Sequence, residues 1–170
     1  MTEPDARERW AEDRTTFQRV YDVLVGETDF ATAAEFADRA DCSETAARNA
    51  LEQLVEMGIA ERREGRPAGY RRNASYVEWK RVEALASDHR IEELVARVED
   101  LVEADEAFQE RFGAPEPAAV STADLPVEDQ DAAEERWAAL NEWRTVRRDV
   151  RLVRRAIDRA RSRADDGVSA

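Results

Sequence analysis

A mainly α fold is predicted by three features of this 170-residue chain. Apolar residues recur at intervals of three and four through most of its length. Several of those stretches open on a local capping signal and close on a glycine. One window, residues 59–72, drops that rhythm for short apolar-polar runs around turn residues, which predicts a small β-hairpin. The length fits one ordinary domain, or a small domain plus an extension.

The first helix is expected from about Pro4 to Val25, with Trp10, Phe17, Val20, Tyr21 and Leu24 on its apolar face and Gly26 as its stop. Phe30, in the short loop that follows, is expected to plug the core. A second helix starts at Thr32, where Thr32 and Glu35 form a T-x-x-E capping box. Its stripe of Ala33, Phe36, Ala37 and Ala40 is small enough for another helix to cross closely. Asp41-Cys42-Ser43 is the turn. Asp41 stands where many such turns carry glycine, and Asp tolerates the left-handed backbone that the turn needs. Ser43 is a good N-cap for a third helix over Glu44 to Met57, with Ala47, Ala50, Leu51, Leu54 and Val55 facing inward and Gly58 at its end.

Ile59 to Arg63 and Tyr70 to Arg72 are the expected strands, joined by Glu64-Gly65-Arg66-Pro67-Ala68-Gly69. Alternate strand residues share a face, which sets Arg62 and Arg71 apart from Arg63 and Arg72. Two helices with a three-residue turn, followed by a hairpin, make a winged helix-turn-helix. This predicts a DNA-binding domain at residues 1–74 and a helical region at 75–170. In the second region a fourth helix is expected from Ser75, capped by Glu78, with Tyr76, Trp79, Val82 and Leu85 on its apolar face. A fifth follows Asp88, and Ile91, Leu94, Val98, Leu101, Phe108 and Phe112 keep a heptad rhythm that Asp105 breaks. Gly113 ends it. Residues 113–128 hold three of the five prolines and read as a linker with one helical turn near Ala123. The last helix spans about Asp129 to Arg163, and Ala133, Trp137, Leu140, Trp143, Val146, Val150, Val153, Ile157 and Ala160 form a coiled-coil-like stripe. The tail from Ala164 is expected to fray.

Composition limits the function classes. No apolar run is long enough to span a membrane, and the charged start MTEPDARERW has no secretory character. A lone cysteine, Cys42, excludes an internal disulfide framework and fits a cytoplasmic location. With a single histidine, His89, no metal-ligand cluster is visible, and no cofactor is expected. Paired catalytic carboxylates, a nucleophile motif and a phosphate loop are also missing, so the chain does not read as an enzyme, and no small-molecule ligand is identifiable.

Net charge is −13, yet only Lys80 among the 26 basic residues is lysine. Lysine scarcity with acidic excess points to work in multimolar salt, where carboxylates hold water and cations at the surface; a GC-rich genome would also favour arginine. The charge is uneven: −5 over residues 1–73, zero over 74–87, −12 over 88–134 and +4 over 135–170. Such segregation suggests parts with different partners.

The third helix offers Ser43, Glu44, Thr45, Arg48 and Asn49 at its outward N-terminal end, where a helix-turn-helix enters the major groove. Arg can read guanine, and Asn adenine, through two hydrogen bonds each. The hairpin holds Arg62, Arg63, Arg66, Arg71 and Arg72 against two glutamates. These arginines can grip phosphates or a minor groove, or simply pair with Glu61 and Glu64. Ile91, Leu94, Val98, Leu101, Trp137, Leu140, Trp143, Val150, Val153 and Ile157 are the candidate dimer interface. Their helices, one acidic and one basic, can pack antiparallel within a chain or across a dimer. All four tryptophans fall on apolar faces and are expected as core or interface anchors.

Residues 33–73, AAEFADRADCSETAARNALEQLVEMGIAERREGRPAGYRRN, together with RTTFQRVYDVL of the first helix, resemble haloarchaeal winged-helix transcriptional regulators of the broad ArsR-like group. The resemblance covers a little under half of the chain. It implies a cytoplasmic homodimer that binds double-stranded DNA and controls transcription. The thiolates with which some ArsR-like proteins sense metals are missing, since Cys42 stands alone. The competing expectation is a winged-helix scaffold for protein interaction or chromosome organisation, working through its long helices.

Overall fold

The computed structural model of the protein describes residues 14–121 and 130–168. These residues are mainly helical, with one small antiparallel sheet. The chain divides into two compact units, residues 1–79 and 80–170.

The first unit begins with α1 (Thr16–Gly26). Thr15 caps it: the Thr15 side chain accepts from the Gln18 N–H, and the Gln18 side chain accepts from the Thr15 N–H. Trp10 and the expected helical start at Pro4 lie outside the described residues. β1 (Ala31–Thr32) follows, then α2 (Ala33–Ala40), α3 (Glu44–Glu56), β2 (Ala60–Arg63) and β3 (Gly69–Arg72). The expected caps hold at both inner helices. Thr32 and Glu35 form their reciprocal box, and Ser43 Oγ accepts from the Ala46 N–H at 3.2 Å. Asp41 takes the left-handed conformation at φ 52°, which turns the chain from α2 into α3.

β1 was not expected, because two residues are too short to show a period. The sheet order is β1-β3-β2, with Ala31 opposite Tyr70 and Ala60 opposite Arg72. One core fills the space between helices and sheet. Val20, Leu24, Phe36, Leu51, Leu54 and Tyr70 are its large buried side chains. Ala37, Ala40, Ala47 and Ala50 are also buried, as their small size allows where α2 and α3 cross.

α4 spans Ala74–Asp88, and the boundary between the units falls within it. Its cap is Asn73, not Ser75 as expected. Asn73 Oδ1 accepts from the Ser75 N–H at 3.0 Å, while its Nδ2 donates to the Gly58 carbonyl at 2.9 Å. The Asn73 amide serves both bonds at once, its oxygen accepting and its nitrogen donating.

In the second unit the rest of α4 is followed by α5 (Ile91–Phe112), a 3-10 turn (Pro117–Ala119) and α6 (Gln130–Val168). Gly113, at φ 60°, ends α5 as expected. The helical turn expected near Ala123 lies outside the described residues. α6 runs on through residues 164–168, where a frayed tail was expected.

α5 and α6 pack antiparallel within the one chain. Leu94 is buried against Val153, Ala156, Ile157 and Ala160, with Ile91, Val98 and Leu101 half-buried beside them. Further along, Trp143 is fully buried and stacks on Phe112 and Phe108 at 5.5 and 6.1 Å between ring centres. Leu94, Leu140, Trp143, Val150, Val153 and Ile157 are therefore interior side chains of one chain, correcting their assignment to a dimer interface. The heptad rhythm is satisfied locally, since the turn after Gly113 brings the two stripes together. Of the described tryptophans only Trp143 is a core anchor; Trp79 and Trp137 are exposed, at 57% and 42%.

Asp105, which breaks the heptad rhythm, is a polar node in this seam. It accepts from Trp143 Nε1 at 2.6 Å and from Gln109 at 2.8 Å, and lies 3.4 Å from the Arg147 guanidinium. A buried indole N–H needs an acceptor, and the break in the apolar pattern supplies one. No helix among the described residues is long and apolar enough to cross a membrane.

Candidate nucleic-acid interface

Ser43, Glu44, Thr45, Arg48 and Asn49 are all exposed at the N-terminal end of α3. The inward residues Ala47, Ala50 and Leu51 fix the helix rotation, and that leaves these five facing out. Arg48 pairs with Glu44 one turn earlier. The exposed Arg66 lies in the loop between β2 and β3, and among the described residues it has no hydrogen-bond or ion-pair partner. Arg48 and Arg66 line one open cleft of about 500 Å³ between the start of α2, the start of α3 and the hairpin loop. Glu44, Thr32, Pro67 and Tyr70 are among its other lining residues.

The other four hairpin arginines have partners within the chain. Register decides which. Arg71 stands opposite Glu61, two residues from Arg63, so Arg63 and Arg71 share one face of the hairpin and Arg62 and Arg72 share the other. The sequence-based grouping, Arg62 with Arg71 and Arg63 with Arg72, is corrected on this point. Arg63 and Arg71 each lie 4.5 Å from the centre of the Phe30 ring. Phe30 is thus a half-buried stacking platform rather than a core plug. Arg71 also pairs with Glu61 at 2.7 Å. Arg72 donates to the Val25 carbonyl at 2.9 Å, which closes the end of α1. Arg62 reaches Glu52 at 3.3 Å and Glu64 at 3.5 Å.

Two residues not singled out in the sequence set the hairpin on α3. Tyr70 is buried, and its hydroxyl donates to Glu52 Oε1 at 2.6 Å. Burial, and then the carboxylate of Glu52, push the Tyr70 hydroxyl up to about 12. Glu52 therefore holds one residue from each strand, Arg62 and Tyr70. The aromatic residue in an arginine-rich strand was the available signal.

Cys42 is half-buried against the core, and burial pushes its thiol above the ordinary value. A thiol held in its neutral form is a small apolar side chain rather than a nucleophile. Among the described residues no group of His, Cys, Asp and Glu side chains could hold a metal ion.

No curated protein matches the chain. The family model for DUF7342, a family of unknown function, matches residues 14–159.

Proposed function

The chain belongs to DUF7342, and we propose that it is a sequence-specific DNA-binding transcriptional regulator of winged-helix type, acting as a homodimer in a high-salt cytoplasm. The carrying observation is that Arg48, near the outward start of α3, and Arg66, in the hairpin loop, border the same open cleft. In this reading Thr45, Arg48 and Asn49 contact base edges, and Arg66 reaches phosphate or minor groove.

Magnitudes favour Arg48 exchanging its partner. An exposed pair one helical turn apart contributes roughly 0.3–0.5 kcal/mol. A bidentate Arg–guanine contact is worth roughly 1–3 kcal/mol of discrimination. The hairpin arginines, expected to grip phosphates or a minor groove or to pair with Glu61 and Glu64, divide between these roles in this reading. Arg62, Arg63, Arg71 and Arg72 brace the hairpin, and Arg66 makes the outward contact. For the homodimer, exposed Trp137 and half-buried Ile91, Val98 and Leu101 stay as candidate contacts.

Selection of duplexes from a random pool, in multimolar KCl, tests the reading. An enriched motif with two related half-sites is expected, as a two-fold protein requires. A pool that stays random after repeated rounds would refute sequence-specific binding.

A second reading has its own observation. Trp79 and Trp137 are large, exposed aromatic side chains of the kind that anchor protein interfaces. An interaction or chromosome-organising scaffold would use them. Capture of partner proteins after nuclease treatment, lost on Trp79→Ala and Trp137→Ala, is the outcome that favours it.

A further inference from the structure

We infer that α6 carries a second, sequence-independent contact surface for the phosphate backbone of duplex DNA, separate from the α3–hairpin surface. Residues 144–163 hold nine arginines against two aspartates, a net of +7 within a chain of net −13. Pairing inside the fold accounts for only part of that charge. Arg147 is held by Asp105 and Glu116, and Arg159 and Arg163 by Glu83. Arg144 donates to the neutral Asn141 amide, so its charge is not compensated there. Arg148 has only a loose contact with its neighbour Asp149, at 3.7 Å. Arg151, Arg154 and Arg161 have no hydrogen-bond or ion-pair partner among the described residues.

The spacing gives this charge a shape. Arg144, Arg148 and Arg151 recur at four and three and so share one exposed helix face, with Arg154 and Arg161 to one side of it; Arg155, which lies on the same line, is engaged within the chain. The buried residues Val150, Val153, Ala156 and Ile157 hold the opposite side against α5 and fix that orientation. From Arg144 to Arg161 the stripe is about 25 Å long at 1.5 Å per residue. A duplex presents about one phosphate charge per 1.7 Å over the same length. Arginine's fork of donors suits phosphate oxygens and keeps its geometric advantage when salt screens simple attraction. A surface whose task was only to hold water in salt would be acidic, as α5 is. At Arg151, Arg154 and Arg161 the sign is reversed where no partner among the described residues calls for it.

The test uses the full-length protein and a random-sequence duplex of about 30 base pairs, at the lowest KCl concentration at which circular dichroism shows the fold intact. Gln keeps the helix-forming tendency of Arg without its charge. The triple variant Arg148→Gln/Arg151→Gln/Arg154→Gln is expected to bind this duplex at least tenfold more weakly. Its salt slope is expected to be shallower by about one per arginine removed. In contrast, Arg48→Ala with Arg66→Ala is expected to abolish preference for a selected duplex and leave random-duplex binding largely in place. If that double variant changes nothing while the triple variant weakens binding, the base-reading proposal fails and the stripe stands. Unchanged random-duplex affinity of the triple variant overturns the inference. So does finding that it loses only a self-association seen for the parent in sedimentation, which would make the stripe a surface for the acidic face of another copy.

Discussion

At the residue scale, three side chains do most to hold the hairpin and the α5–α6 seam in place. Tyr70 is the first. Its hydroxyl is protonated up to about pH 12 in the fold, against an ordinary value of 10.0. A raised pKa means that the folded state keeps a proton which the unfolded chain gives up sooner. The stability from this bond is therefore complete below pH 10 and is lost as pH rises toward 12. Denaturant titrations across that window should show a decline in the parent that is smaller in Tyr70→Phe. Asp105 is the second, and Asp105→Ala leaves the buried Trp143 N–H without an acceptor. A loss of about 2 kcal/mol is expected, read by Trp fluorescence in urea; a change under 0.5 kcal/mol would remove Asp105 from its structural role. Phe30 is the third. Phe30→Ala takes away the ring on which Arg63 and Arg71 lie, and should loosen the hairpin, seen as faster amide exchange in β2 and β3.

At the scale of elements, the sequence was legible where chemistry is local. Thr32 with Glu35, Asp41, Ser43, Gly58 and Gly113 each mark a helix end through a hydrogen bond or backbone conformation set within four residues. What was hidden depends on partners distant in sequence. β1 exists because β3 supplies its bonds, and the grouping of the hairpin arginines follows from a register that the turn residues do not specify. The heptad stripes of α5 and α6 had the right residues, but a stripe does not state whether its partner lies in the same chain. The candidate site divides likewise. The outward residues of α3 were legible from helical periodicity, and so was arginine pairing with Glu61 and Glu64, whereas the engagement of Arg62, Arg63, Arg71 and Arg72 by Glu52, Phe30 and Val25 was not. One element-level test is the α2–α3 turn. Asp41→Val puts a β-branched residue at positive φ and should cost about 1–2 kcal/mol, while Asp41→Gly should be nearly neutral. Equal stability of the two variants would mean that the turn does not depend on this conformation.

At the scale of the whole molecule, charge governs behaviour. A net charge of −13 over 170 residues repels itself in dilute buffer, and added salt screens that repulsion. The thermal midpoint should rise as KCl goes from 0.1 M to molar concentrations, and a flat or falling midpoint would contradict adaptation to salt. Binding in such salt gains little from counterion release. It must depend on direct hydrogen bonds and fit, which places the weight of the account on Arg48. The most direct measurement is therefore a titration of a selected duplex and a scrambled duplex with the parent and with Arg48→Ala, in multimolar KCl. The parent is expected to prefer the selected duplex, and Arg48→Ala to lose about 1–3 kcal/mol of that preference. Equal preference in both proteins would contradict it.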